Sequence, residues 1–150
     1  MRLSRIEFGS FLSYSPRGTS DVEKTSRSAM RALKDDQVVP SDPPMLMSDY
    51  VADLIKRDID KLPFARIFEK NPILVPTPSS SLAKAGTLWV PHRLANALMQ
   101  KGLGRSVETC LERATPVQKS ATSQAADRPK AAQHFASMVM SNSYRLVTPH

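Results

Sequence analysis

Apolar and polar positions change their period several times along the chain, and each change marks an element. Residues 5–14 alternate: Ile6, Phe8, Leu12 and Tyr14 share one face at period two, with Gly9 placed for a bulge, which predicts a strand. Pro16-Arg17-Gly18 predicts a turn. Ser20-Asp21-Val22-Glu23 has the spacing of a capping box, in which Ser20 accepts from the Glu23 amide and Glu23 reaches back. The helix it opens is expected to run to about Leu33, with Val22, Ala29, Met30 and Leu33 as its buried stripe. Pro40, Pro43 and Pro44 make 37–47 a loop, and a second helix is expected from near Ser48 to about Asp60. Its inner face would be Val51, Leu54, Ile55 and Ile59, and Leu62-Pro63-Phe64 would end it.

Asn71-Pro72-Ile73-Leu74-Val75-Pro76 is a short β-branched run bounded by prolines, which predicts a buried strand. It breaks into Thr77-Pro78-Ser79-Ser80-Ser81, a loop of small hydroxyl residues. A helix then starts with Pro91 at its first position, lines one side with Leu94, Ala95, Leu98 and Met99, and stops at Gly102. A second strand is expected over 106–112, a basic loop over Thr115–Lys130, and a return to strand over His134–Met140. Strand, small-residue loop and helix in that order form the general plan of an anion site in α/β proteins. Ser79, Ser80 and Ser81 are the candidate donors to phosphate oxygens, with Lys84 adding charge; the competing reading is a plain surface loop. Gly86 is the only glycine between Gly18 and Gly102, so neither a P-loop nor a dinucleotide fingerprint is present.

Charge sharpens this picture. The 150 residues, enough for one ordinary domain, carry a formal net charge of +7. Residues 1–78 hold 12 Lys and Arg against 11 Asp and Glu, whereas residues 79–150 hold 9 against 3. A basic half with few acids is the electrostatic footprint of a phosphate-bearing partner or of a merely solvated surface. On the first helix, Lys24, Arg27, Arg31 and Lys34 fall on one face, placed to meet a nucleic-acid backbone or the neighbouring acids Asp21, Glu23, Asp35 and Asp36. Trp89, Tyr14 and Phe11 are the candidate stacking platforms for bases, or else core residues.

Other constellations are less productive. His92 is expected at the surface, and His134 and His150 have no metal-ligand spacing with Cys110, the single cysteine. Glu108 and Glu112 flank that thiol, which argues against a nucleophile. Asp35-Asp36 is expected to be a solvated turn. No apolar run approaches the roughly 20 residues of a membrane span, and no apolar block follows the basic start as in a secretory signal, so no membrane partner and a cytoplasmic setting are expected.

The order of features from about Pro72 to Phe135 resembles the ComF-like phosphoribosyltransferase family, which has the type I phosphoribosyltransferase fold. The resemblance is carried by Ile73-Leu74-Val75-Pro76-Thr77-Pro78, by Arg93-Leu94-Ala95-Asn96-Ala97-Leu98, and by Leu111-Glu112-Arg113-Ala114-Thr115-Pro116-Val117-Gln118, followed by Arg128 and Phe135. Phe8-Gly9-Ser10-Phe11 through Leu33-Lys34-Asp35-Asp36 looks like a branch of the same family. It implies an α/β fold: an incomplete parallel sheet flanked by helices over 71–150, with an N-terminal hairpin-and-helix cap over 1–70. It also implies phosphoribosyl transfer from phosphoribosyl pyrophosphate with Mg²⁺, in nucleotide metabolism or DNA uptake. The diphosphate would sit on Thr77, Ser79, Ser80, Ser81 and Lys84, and a basic loop within Gln118–Arg128 would close over it, with Arg128 as a contact. The family's acidic pair and Thr/Gly-rich loop for the 5-phosphate have no counterpart in the sequence, so the chain is expected to be truncated before that loop and inactive alone. Two other classes stand beside this one: a small basic accessory protein binding single-stranded DNA through Lys24, Arg27, Arg31 and Lys34, and a fragment with no activity.

Overall fold

The computed structural model describes residues 9–10, 18–119 and 127–141 of the protein. The strand expected over 5–14 lies outside these apart from Gly9 and Ser10, as do Pro16 and Arg17 of the expected turn. Helix α1 (Asp21–Lys34) opens with the capping box its sequence calls for. The Glu23 amide donates to Ser20 Oγ at 3.3 Å, while the Glu23 carboxylate accepts from the Ser20 amide at 3.0 Å and from its hydroxyl at 2.6 Å. The buried stripe is shorter than expected. Val22 is 80% exposed, because the residues of α1 that reach the core, Ala29, Ala32 and Leu33, all lie in its C-terminal half.

α1 ends on Asp36, whose φ of 46° is left-handed. The Asp36 amide donates to Leu33 O and the Gln37 amide to Ala32 O, the paired bonds that close a helix around a residue most often glycine. A short hairpin follows, β1 (Val38–Val39) antiparallel to β2 (Met45–Leu46), with Val38 opposite Leu46 and Val39 opposite Met45. Helix α2 (Met47–Arg57) springs directly from β2, so the residue before it, Leu46, has no side chain that can cap. Its first amides are satisfied from elsewhere: Met47 N–H donates to Gln37 O and Ser48 N–H to Asp36 Oδ1, both at 2.9 Å.

The second oxygen of Asp36 accepts from Arg93 Nη1 at 3.0 Å. This carboxylate is 1% exposed and the Arg93 side chain 50%. Burial pushes the Asp36 carboxyl up, but the Ser48 amide and the Arg93 guanidinium outweigh it and hold it below the usual carboxylate range. The solvated turn expected of Asp35-Asp36 is therefore found only at Asp35, which is exposed; Asp36 is buried between three elements.

α2 ends at Arg57 rather than Asp60, and a 3-10 turn (Ile59–Lys61) and helix α3 (Ala65–Glu69) lead on. Strand β3 (Ile73–Leu74) pairs in parallel with β4 (Ser106–Val107), Ile73 opposite Ser106 and Leu74 opposite Val107. Helix α4 (Val90–Gln100) makes the crossover between them, with Pro91 at its second position. Gly102, at φ 74°, stops it as expected, its amide on Met99 O and that of Leu103 on Leu98 O. The strand expected over 106–112 breaks after Val107 and resumes as β5 (Leu111–Arg113). β5 pairs antiparallel with β6 (Met138–Met140). Residues 131–136, where strand was expected from His134, form helix α5 (Ala131–Ala136); a Lys130 amide bond to Gln133 Oε1 at 2.7 Å starts it.

The protein is thus mixed α and β, but the described strands form three separate two-stranded pairs, and only β3–β4 is parallel. β3 is not the centre of the core. Ile73 and Val75 are exposed, because a two-residue strand paired along one edge has no sheet face to cover them. The centre is α2, whose Met47, Val51 and Ile55 are buried with Leu103 and are joined by Ala29, Leu33, Phe68, Leu94 and Leu98 from three other helices. Ala52, Ala95 and Ala97 are buried, and Lys101 Nζ pairs with Asp53 at 2.5 Å where α4 ends beside α2.

Replacing Asp36 with Asn keeps a residue tolerant of left-handed backbone but turns an amide nitrogen or a neutral oxygen toward Arg93. Asp36→Asn is expected to lower unfolding free energy by about 2 kcal/mol, the range for a charge-assisted hydrogen bond. Because the folded carboxyl lies below its unfolded value, its contribution is whole above about pH 4 and drains as pH falls through the folded value. Denaturation midpoints of the two proteins should therefore converge in acid; a gap that stays constant from pH 7 to about pH 3 would assign the loss to something other than the charge. Gly104 offers a second test. A Cβ there would lie 2.7 Å from Leu74 Cγ and 3.1 Å from the Pro72 carbonyl. Gly104→Ala should cost about 1–3 kcal/mol in urea unfolding, through displacement of β3.

Candidate functional site

The loop after β3 and the segment after β4 converge, since both strands of a parallel pair point their carboxyl ends the same way. Between them lies a cleft of about 400 Å³. Pro78, Ser79, Ser81, Lys84, Thr87 and Trp89 line it from the first side, and Thr109, Leu111, Glu112 and Arg113 from the second. A cleft beyond the carboxyl ends of parallel strands is the usual ligand position in open α/β proteins, and this volume suits a small molecule.

Local bonds give the loop its shape. Trp89 Nε1 donates to Thr77 O at 3.0 Å, drawing the two ends of the loop together. Trp89 also stacks on His92, centroids 5.1 Å apart and planes 16° from parallel. His92, expected at the surface, is half-buried for this reason. Ser79 Oγ donates to Ser81 O at 2.7 Å, Thr87 Oγ1 donates to Lys84 O at 2.7 Å, and Val117 N–H donates to Ser80 O at 2.9 Å. The N-terminus of α4 adds little. Pro91 has no N–H, and the amides of His92 and Arg93 both already donate to Trp89 O. Attraction for an anion here rests on side chains.

The chain matches no protein-family model, no curated protein and no solved structure.

Of the residues singled out in the sequence for diphosphate, Ser79, Ser81 and Lys84 line the cleft. Thr77 and Ser80 do not; each lends its carbonyl to the frame. Arg128 is exposed and is not part of the cleft wall. On α1, Lys24 pairs with Asp21 at 3.1 Å and Arg27 donates to the Gly18 carbonyl, so two of the four cations have local partners. Arg31 and Lys34 remain exposed. Among the candidate stacking residues, Trp89 is in the cleft, while Phe11 and Tyr14 lie outside the described residues.

Two cleft residues carry more than the sequence reading assigned them. Trp89, the single tryptophan, is the brace of the loop. Arg113 is a buried cation in a strand, donating from Nε to Ser79 O at 2.9 Å and from Nη1 to His134 O at 3.3 Å and to Ser137 Oγ. The signal for it was a lone arginine between Cys110-Leu111 and the next polar stretch, too short a pattern to separate from an exposed edge residue.

Trp89→Phe removes the indole donor while keeping the stack. Loss of a bond of about 1 kcal/mol should raise the rate of tryptic cleavage at Lys84 about fivefold, with the global unfolding midpoint nearly unchanged. Equal cleavage rates in the two proteins would show that the bond does not hold the loop.

Proposed function

We propose that the protein binds a phosphorylated small molecule in this cleft, as a ComF-like phosphoribosyltransferase-type protein that holds a diphosphate without transferring the phosphoribosyl group itself. The observation that carries the reading is the position and lining of the cleft: beyond the carboxyl ends of β3 and β4, with Lys84 and Arg113 set among the hydroxyls of Ser79, Ser81, Thr87 and Thr109. Lys84 and Arg113 are the cations among the lining residues and Glu112 the one acid, its side chain on the opposite face of β5 from Arg113. The hydroxyl hydrogens of Ser79 and Thr87 are spent on the Ser81 and Lys84 carbonyls, so recognition of phosphate oxygens falls to the cations and to the hydroxyls of Ser81 and Thr109, while Trp89 offers an apolar wall for the remainder of the ligand.

The residues do not fit a resident Mg²⁺. Among the described residues no three of His, Cys, Asp and Glu come together, and Glu112 is the only acidic residue lining the cleft. With no acidic pair lining the cleft to handle ribose hydroxyls, the reading is one of binding, and no chemical step is assigned. The alternative, single-stranded DNA on α1, draws on Arg31 and Lys34, since Lys24 and Arg27 are engaged locally.

Trp89 serves as its own reporter. Titration with phosphoribosyl pyrophosphate, or with inorganic diphosphate, should change its fluorescence along a saturable curve that weakens with salt. Lys84→Ala should weaken binding about five- to tenfold without altering stability. A flat titration, confirmed by the absence of heat in calorimetry, would overturn the reading.

A further inference from the structure

A guanidinium has five N–H groups in a fixed fork, and burying one without a carboxylate is costly unless its donors are used. Arg113 is 9% exposed, and its three protein partners, Ser79 O, His134 O and Ser137 Oγ, are all neutral. They occupy Nε and Nη1 and leave Nη2 with no partner among the described residues. No fully buried side-chain nitrogen among these residues lacks a hydrogen bond, so Nη2 is not sealed from solvent, and Arg113 is one of the residues that line the cleft. Glu112, its exposed neighbour in β5, lies on the opposite face of the strand. A cation set rigidly by neutral acceptors, with one amino group left unpaired and not sealed from solvent, in a residue that lines a cavity, is prearranged for an anion from outside the protein.

We propose that Arg113 is the anion-recognising residue of the cleft, taking a phosphate oxygen through Nη2 while Ser79, His134 and Ser137 hold the fork in place. This rests on the reading of the cleft as a phosphate site and names the group that decides its ligand class. Lys84, exposed on the loop, adds charge; Arg113 adds direction.

The test is titration of the full chain with inorganic diphosphate, read by Trp89 fluorescence and by the side-chain Nε–Hε signal of Arg113 in ¹⁵N NMR. That signal is expected to move along the same saturation curve as the fluorescence. Arg113→Lys keeps the charge but not the fork, and should bind at least about tenfold more weakly at a temperature where both proteins are fully folded. If the protein binds diphosphate but the Arg113 signal is unmoved and Arg113→Lys binds as well as the parent, Arg113 is a structural brace and only this inference fails. If the parent binds no diphosphate by either probe, the cleft reading fails with it. Should Arg113→Lys not fold, the NMR titration of the unmutated chain decides between the first two outcomes.

Discussion

One carboxylate organises the helical half of the protein. Asp36 closes α1 with left-handed backbone, caps the buried Ser48 amide in the first turn of α2, and receives the guanidinium of Arg93 from α4. Glycine would suit the backbone better by about 1 kcal/mol, and asparagine would tolerate it, but neither brings a charge. Helices α1, α2 and α4, which meet around Met47, Val51 and Ile55, are thus fixed at one point by a group that is almost wholly out of water. A buried charge of this kind is poor value as a source of stability and strong as a determinant of arrangement, because any displacement of one helix leaves it unpaired.

From that point the geometry passes to the cleft through α4. Arg93 anchors the first turn of this helix, Lys101 ties its end to Asp53, and Gly102 turns the chain back toward β4. Trp89 sits immediately before the anchored turn, so the loop that carries Ser79, Ser81 and Lys84 is suspended from a fixed helix end. Gly104 completes the junction, since only a residue without a side chain lets the segment before β4 lie against Leu74 and Pro72. The small parallel pair is therefore less a core sheet than a spacer that sets the distance between two cleft walls.

What the sequence made legible was whatever could be decided within one or two turns of chain. Ser20 and Glu23 are three residues apart and announce their helix; Gly102 announces the end of another; the apolar run at 73–75 and the helix after Pro91 announce a crossover. Asp36 was illegible because its partners are 12 and 57 residues away, and its neighbour Asp35 really is the solvated acid that both resemble in sequence. Val22 fits the helical period as well as Leu33 does, and the period is silent on how far the covering helix extends. The site divides in the same way. The hydroxyl loop with Lys84 could be named from its composition, whereas Arg113 acquires its meaning from Ser79 and from Ser137, 34 and 24 residues distant.

Those separations have a consequence for the order in which the chain assembles as it is synthesised. The unit from β3 to β4 can form once residues up to Val107 have been made, and with it the loop from Pro78 to Trp89. The opposite wall cannot settle until His134 and Ser137 have emerged to seat Arg113, since β5 has no other strand to pair with among the described residues before β6. The cleft is completed only after the helical half has its own core, by a closure that spans the residues between β5 and β6. A ligand that bridges the two walls would act as a template for that last step, favouring the closed chain by mass action at the moment it first becomes possible.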